Sequence, residues 1–174
     1  MKNIRKAAAV GVLIAVTIVM TVTSFAGSGI TKKDAEKIAL RDAGVKRSQV
    51  KRFESEREHG KFEIEFVKKS DGTEFGYEIT KKGKVSEKSV EYVYEKNHST
   101  DKIGKKAARK KAAKHSGVSY NKVKKGTCRY EYDNEDKEGK YEVTFKSGGY
   151  RYEYDILAPT GTVMEYDKKL NGQQ

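Results

Sequence analysis

ITKKDAEKIALRDAGV, residues 30–45, returns at residues 103–118 as IGKKAARKKAAKHSGV. Ile30, Lys32, Lys33, Ala35, Lys37, Ala39, Gly44 and Val45 each meet the same residue 73 positions later, without a gap. The first copy reads as an amphipathic helix. Thr31 with Asp34 three residues on forms a capping-box-like start. Ala35, Ile38, Ala39 and Ala43 share one face, and Gly44 ends the helix. In the second copy Gly104 replaces the capping threonine, a weaker cap. Lys111 replaces Ile38 on the inner stripe, where its stem can lie flat while its ammonium reaches water.

After each helix the pattern changes to period two. KFEIEFV puts Phe62, Ile64 and Phe66 on one face, with Glu63 and Glu65 on the other; TEFGYEIT continues with Phe75, Tyr77 and Ile79. SDGT between them is a hairpin signal. The second copy repeats the arrangement with Tyr141, Val143 and Phe145, a KSGG turn, then Tyr150, Tyr152, Tyr154 and Ile156. Each copy adds a Gly turn with a last strand, and an earlier strand at residues 50–57 and 126–133. Strands with one wet and one dry face belong to antiparallel sheets. The expectation is α+β: two tandem repeats, each one helix packed on a roughly four-stranded antiparallel sheet. The predicted boundaries are a leader at 1–26, repeats at 27–95 and 103–170, a polar linker at 96–102 and a tail at 171–174.

This ordered set resembles the PepSY domain: the capped alanine-rich helix, the FEIEF strand and the YEITKKGKV element, then IGKKAARKKAAKHSG, YEVTF and YDILAPTGTV. The tandem arrangement is also similar to secreted β-lactamase-inhibitor proteins. The resemblance implies a non-catalytic secreted module, one that in peptidase propeptides assists folding and inhibits the enzyme. It brings no catalytic residues. It implies an extracellular peptidase or other envelope protein as a separate partner, because no H-E-x-x-H sequence follows.

Lys2, Arg5 and Lys6 precede an uncharged apolar run at 7–22 and a small-x-small site before Gly27, the pattern of a cleaved secretory signal peptide. Cleavage leaves 148 residues carrying a net charge of +9, against +12 for the whole chain. The expected location is extracellular, with wall association; an uncleaved leader would instead anchor the chain. The single cysteine, Cys128, excludes an internal disulfide framework.

Little in the sequence suggests catalysis, a metal or a cofactor. His59, His98 and His115 have no second histidine or cysteine at ligand spacing and read as solvated. Cys128 alternates with Tyr130 and Tyr132 and reads as an inward, inert thiol. Two surface features remain. Residues 102–125 hold ten basic residues and no acidic one. Lys105, Lys106, Arg109, Lys110 and Lys114 are its candidate contacts for an anionic cell-wall polymer or membrane surface. Export and the glutamates between the strand tyrosines argue against dedicated nucleic-acid binding. Asp133, Asn134, Glu135 and Asp136 lie in a hairpin six residues longer than its counterpart, a candidate partner-contact loop read as a solvated tip. A module modulating a peptidase and an envelope-associated protein both stand at this point.

Overall fold

Thr31 opens α1 (Lys32–Asp42) through a reciprocal pair of hydrogen bonds. The Asp34 amide donates to the Thr31 hydroxyl at 3.2 Å, and the Thr31 amide donates to the Asp34 carboxylate at 3.1 Å. Two amides that the helix leaves without an internal partner are thereby satisfied. α2 (Lys105–Ser116) has no side-chain cap at Gly104 and ends on Gly117 in the left-handed conformation. Ala35 and Ala39, and Ala108 and Ala112, are the fully buried residues of the two helices. A short α3 (Tyr120–Val123), which the sequence pattern does not announce, follows α2. The computed structural model describes residues 29–135 and 137–172, so the leader at 1–26 lies outside the described residues.

The strands are β1 (Val50–Glu58), β2 (Lys61–Lys68), β3 (Glu74–Thr80), β4 (Val85–Glu91), β5 (Thr127–Asp133), β6 (Glu138–Ser147), β7 (Tyr150–Leu157) and β8 (Val163–Leu170). All pairings are antiparallel. Two meanders form, as the alternation predicts, but not two sheets. They join through β4 and β8 into one eight-stranded sheet of order β1-β2-β3-β4-β8-β7-β6-β5. A four-stranded meander ends on an open row of backbone donors and acceptors, and each of these two edges satisfies the other.

Directly opposed residues point to the same side of a sheet. Phe75 opposes Val90, Val90 opposes Tyr166, and Tyr166 opposes Tyr154. The dry faces of the two meanders are therefore one surface, and α1 and α2 cover the same side. Beneath α1 lie Val50, Phe62, Ile64, Phe66, Tyr77 and Ile79. The Phe66 ring is only 1% exposed and stacks against Phe53, Phe75 and Tyr77. Beneath α2 lie Val123, Cys128, Tyr141, Val143, Phe145, Tyr154 and Ile156. Burying each large apolar side chain contributes about 1.5–3 kcal/mol before its ordering entropy is subtracted. Both helices are tied to the sheet in the same way. The Ile30 amide donates to Lys81 O at 2.9 Å, and the Ile103 amide donates to Ala158 O at 3.0 Å.

The connection between β4 and α2 is fixed where it meets β6. Tyr94 Oη and the Asn97 amide donate to the two carboxylate oxygens of Glu138 at 2.9 and 3.0 Å. Glu138, just past the β5–β6 hairpin tip, is buried. Its charge is held by those two donors.

Candidate functional site

The face without helices is built from the polar positions of all eight strands, and its register aligns charges that the sequence shows only as scattered glutamates. Glu74 opposes Glu91, Glu91 opposes Glu165, Glu165 opposes Asp155, and Asp155 opposes Glu142. Five carboxylates thus form one row across β3, β4, β8, β7 and β6. Arg129 of β5 follows Glu142. A second row, separated from the first by Gly76, Ser89, Asp167 and Glu153, runs Glu56, Glu63, Glu78, Glu87 and then turns basic with Lys169 and Arg151.

Like charges placed directly opposite on a sheet are destabilising. Some of this repulsion is relieved. Lys140 pairs with Asp155 at 2.6 Å and lies 3.8 Å from Glu142, and Lys169 pairs with Glu87 at 2.5 Å. Glu91, Glu165 and Asp167 have no cationic side chain within 4.0 Å among the described residues. Accordingly, partial burial and then the neighbouring Asp167, Asp155 and Glu91 push the Glu165 carboxyl above its ordinary range. Burial followed by Glu87 and Glu153 does the same to Asp167, and burial followed by Glu131 and Asp155 to Glu142. Two open depressions indent this face. One, of about 480 Å³, is lined by Arg129, Glu142, Glu153 and Asp155; the other, of about 300 Å³, by Arg52, Glu54, Glu65 and Glu74. Glu165 borders both.

The opposite face carries the basic helix. Lys105, Lys106, Lys110 and Lys114 are exposed, and none has a carboxylate within 4.0 Å among the described residues. Arg109 differs from them. It is half-buried and donates to the Gly126 carbonyl at 3.3 Å. Asp133, Asn134 and Glu135 are exposed at the β5–β6 turn, where the Glu135 amide donates to the Asp133 carboxylate at 2.7 Å. Asp136 lies outside the described residues.

Between the two helices, over β4 and β8, lies a polar aromatic strip that sequence reading missed. Asp42, at the end of α1, accepts from Tyr77 Oη at 3.1 Å and from Lys88 Nζ at 2.8 Å. Lys88 also lies 5.4 Å from the Tyr77 ring centre and 5.9 Å from that of Tyr166. His115, at the end of α2, is exposed as expected, but its ring has partners. Its Nδ1 is 3.2 Å from Tyr154 Oη, its Nε2 is 3.0 Å from Tyr92 Oη, and the Tyr166 ring packs against it. Burial, with Lys88 nearby, lowers the proton affinity of this imidazole. Asp42 and His115 are 73 residues apart, so the duplicated pattern held the signal for this pair.

His59 is exposed beside Glu58 in the β1–β2 turn. Burial raises the Cys128 thiol despite nearby Arg109 and Lys105, which keeps it a poor nucleophile. Glu56, Glu58 and Glu63 bring three carboxylates within 4.8 Å of one another at a sheet corner. No helix among the described residues is long and apolar enough to cross a membrane.

No family model and no curated protein matches the sequence. Among solved structures, the chain is similar to a BLIP-like protein from Bacteroides fragilis, with 15% identity, 83% of this chain and 92% of that chain covered, and a TM-score of 0.31. It is similar to the YpeB C-terminal domain of Bacillus megaterium at 18% identity, covering 83% of this chain and 68% of that one, with a TM-score of 0.29. A DUF2874 family protein from Bacteroides uniformis overlaps at 8% identity, over 79% and 88% of the two chains, with a TM-score of 0.30. Overlaps at these scores carry no argument about what this chain binds.

Proposed function

We propose that this chain is an exported, non-catalytic binding module made of two PepSY-like repeats, and that it holds a cationic protein surface against the open face of its sheet. The extracellular peptidase implied by the PepSY resemblance is the first partner to try. The observation that carries the reading is the row Glu74, Glu91, Glu165, Asp155 and Glu142 on a face no helix covers. Arg52 and Lys140 lie within 4.0 Å of Glu74, Asp155 and Glu142, whereas Glu91 and Glu165 at the centre of the row have no such cation among the described residues; their charge costs stability in the free protein, and a partner's arginines and lysines would relieve that cost on binding.

Duplication is supported by matched contacts. Each helix is tied by its preceding isoleucine to the end of a strand. Asp42 meets Tyr77 as His115 meets Tyr154. Ile30 and Ile38 lie over Gly83 as Ile103 and Lys111 lie over Gly161. Residues 27–95 and 103–170 are the repeats on this reading, preceded by a leader at 1–26.

The test is capture of secreted peptidases and other extracellular proteins on the immobilised protein, with a peptidase assay on whatever is retained. Retention should be lost in Glu91→Lys/Glu165→Lys and at high salt. A partner retained equally by that variant would refute the sheet face as its contact surface. A second reading has its own observation, the unpaired exposed lysines of α2. If Lys105, Lys106, Lys110 and Lys114, with Arg109, hold an anionic wall polymer, Lys106→Glu/Lys110→Glu should abolish retention on wall material.

A further inference from the structure

The two charged surfaces of this molecule face away from each other, and each is the kind of surface the other lacks. We propose that they meet between copies: the α2 lysines of one molecule dock on the carboxylate row of the next, and the chain assembles head to tail. This goes beyond the binding-module reading and does not depend on it.

The geometry is linear on both sides. Adjacent strands lie about 4.8 Å apart, so the five carboxylates from Glu74 to Glu142 span about 19 Å. Lys106, Lys110 and Lys114 follow one another at i, i+4, i+8 on α2. With a rise of about 1.5 Å per residue they form a line about 12 Å long, with Lys105 beside it. Both lines sit on rigid elements, so docking orders only side-chain ends. α2 packs on the dry face through Ala108 and Ala112, whereas the carboxylate row is on the wet face. The lysines therefore cannot fold back onto the row of their own chain.

The contact uses two different patches, so it is heterologous and propagates unless its rotation closes a ring. The positive net charge opposes association at long range, but that repulsion is screened beyond about 10 Å at 0.1 M salt, while paired charges in contact are screened less. Association should therefore be strongest at moderate salt and vanish near 1 M.

Sedimentation velocity on the purified protein tests this. At about 0.1 M salt the weight-average mass should rise with concentration, and at about 1 M it should fall to that of the monomer. Lys106→Glu/Lys110→Glu and Glu91→Lys/Glu165→Lys should each be monomeric at every concentration, with unfolding curves confirming that both remain folded. Mixing the two variants should restore association, because each then offers the patch the other needs. A wild-type protein that stays monomeric throughout overturns the proposal. So does association that survives both variants, or a mixture that stays monomeric. A monomeric wild type that still captures a cationic partner through Glu91 and Glu165 overturns self-assembly and leaves the binding-module reading standing.

Discussion

Glu165→Gln removes one charge from the middle of the carboxylate row and keeps the side chain's size. Glu165 directly opposes Glu91 on one side and Asp155 on the other, and no cation lies within 4.0 Å among the described residues. Each like-charged opposition costs about 0.2–1 kcal/mol. Glu165 is exposed, so solvent screening selects the lower part of that range. Neutralising it should stabilise the protein by about 0.5–1 kcal/mol at pH 7 and low salt, which raises Tm by about 1–4 °C for a chain of this size. The pH dependence has a definite sign. Burial and neighbouring carboxylates hold the Glu165 proton more tightly in the folded state than the ordinary value of 4.5. Wild-type stability therefore falls as pH rises through the folded-state pKa, and the advantage of glutamine is full above it. Below the unfolded value both proteins are neutral at this position and the advantage disappears. Thermal unfolding by circular dichroism at pH 7 and pH 3, each in low salt and in about 1 M salt, measures all four corners. A variant no more stable than wild type at pH 7 in low salt would refute the idea that the row is repulsive. An advantage that persists at pH 3 would show that its origin is not charge.

Phe66→Ala empties the centre of the first core and should cost about 3–5 kcal/mol, read as a lower urea midpoint. Gly126→Ala would place a methyl group 2.0 Å from the Thr144 carbonyl oxygen and 3.0 Å from Phe145 Cα. Backbone atoms cannot rotate away, so a loss of about 3 kcal/mol is expected in the same titration. Asp42→Asn leaves the Lys88 ammonium, only 13% exposed, without its carboxylate and should cost about 1–3 kcal/mol. Adding Lys88→Met should recover most of that loss, and a double variant no better than Asp42→Asn would discount the pairing. Lys111→Ile should stabilise by about 0.5–1 kcal/mol, because its stem already lies over Gly161 where Ile38 lies over Gly83. Retention on wall material should be unchanged in Lys111→Ile.

The sequence carried its local features plainly. Phe62, Ile64 and Phe66 alternate with charged residues, Thr31 and Asp34 mark a helix start, and Gly–containing turns separate the strands; each lies within a few neighbours of the feature it encodes. The joining of β4 to β8 is different. It pairs residues about 80 positions apart, and either edge of either meander carries the same unsatisfied backbone groups. No periodicity distinguishes the edge that will pair. The carboxylate row was hidden for the same reason. FEIEF, YEYD and MEYD each show an acid between apolar residues, but only the register places Glu91, Glu165 and Asp155 side by side. Asp42 and His115 were visible as equivalent positions, yet their tyrosine partners come from strands far along the chain. Four residues of α3 are too few for a helical period to emerge.

The last strand to be synthesised is the one that completes the middle of the sheet. β4 has its backbone edge ready once residue 91 has emerged, but its neighbour β8 spans Val163–Leu170. For the intervening 71 residues the first half exists as a four-stranded sheet with an unprotected flank, and the second half can close only against it. A premature stop at residue 162 would therefore not trim a frayed end. It would leave β4 and β7 facing each other across a missing strand, two adhesive edges on one molecule, and turn a loss of 13 terminal residues into a seed for aggregation.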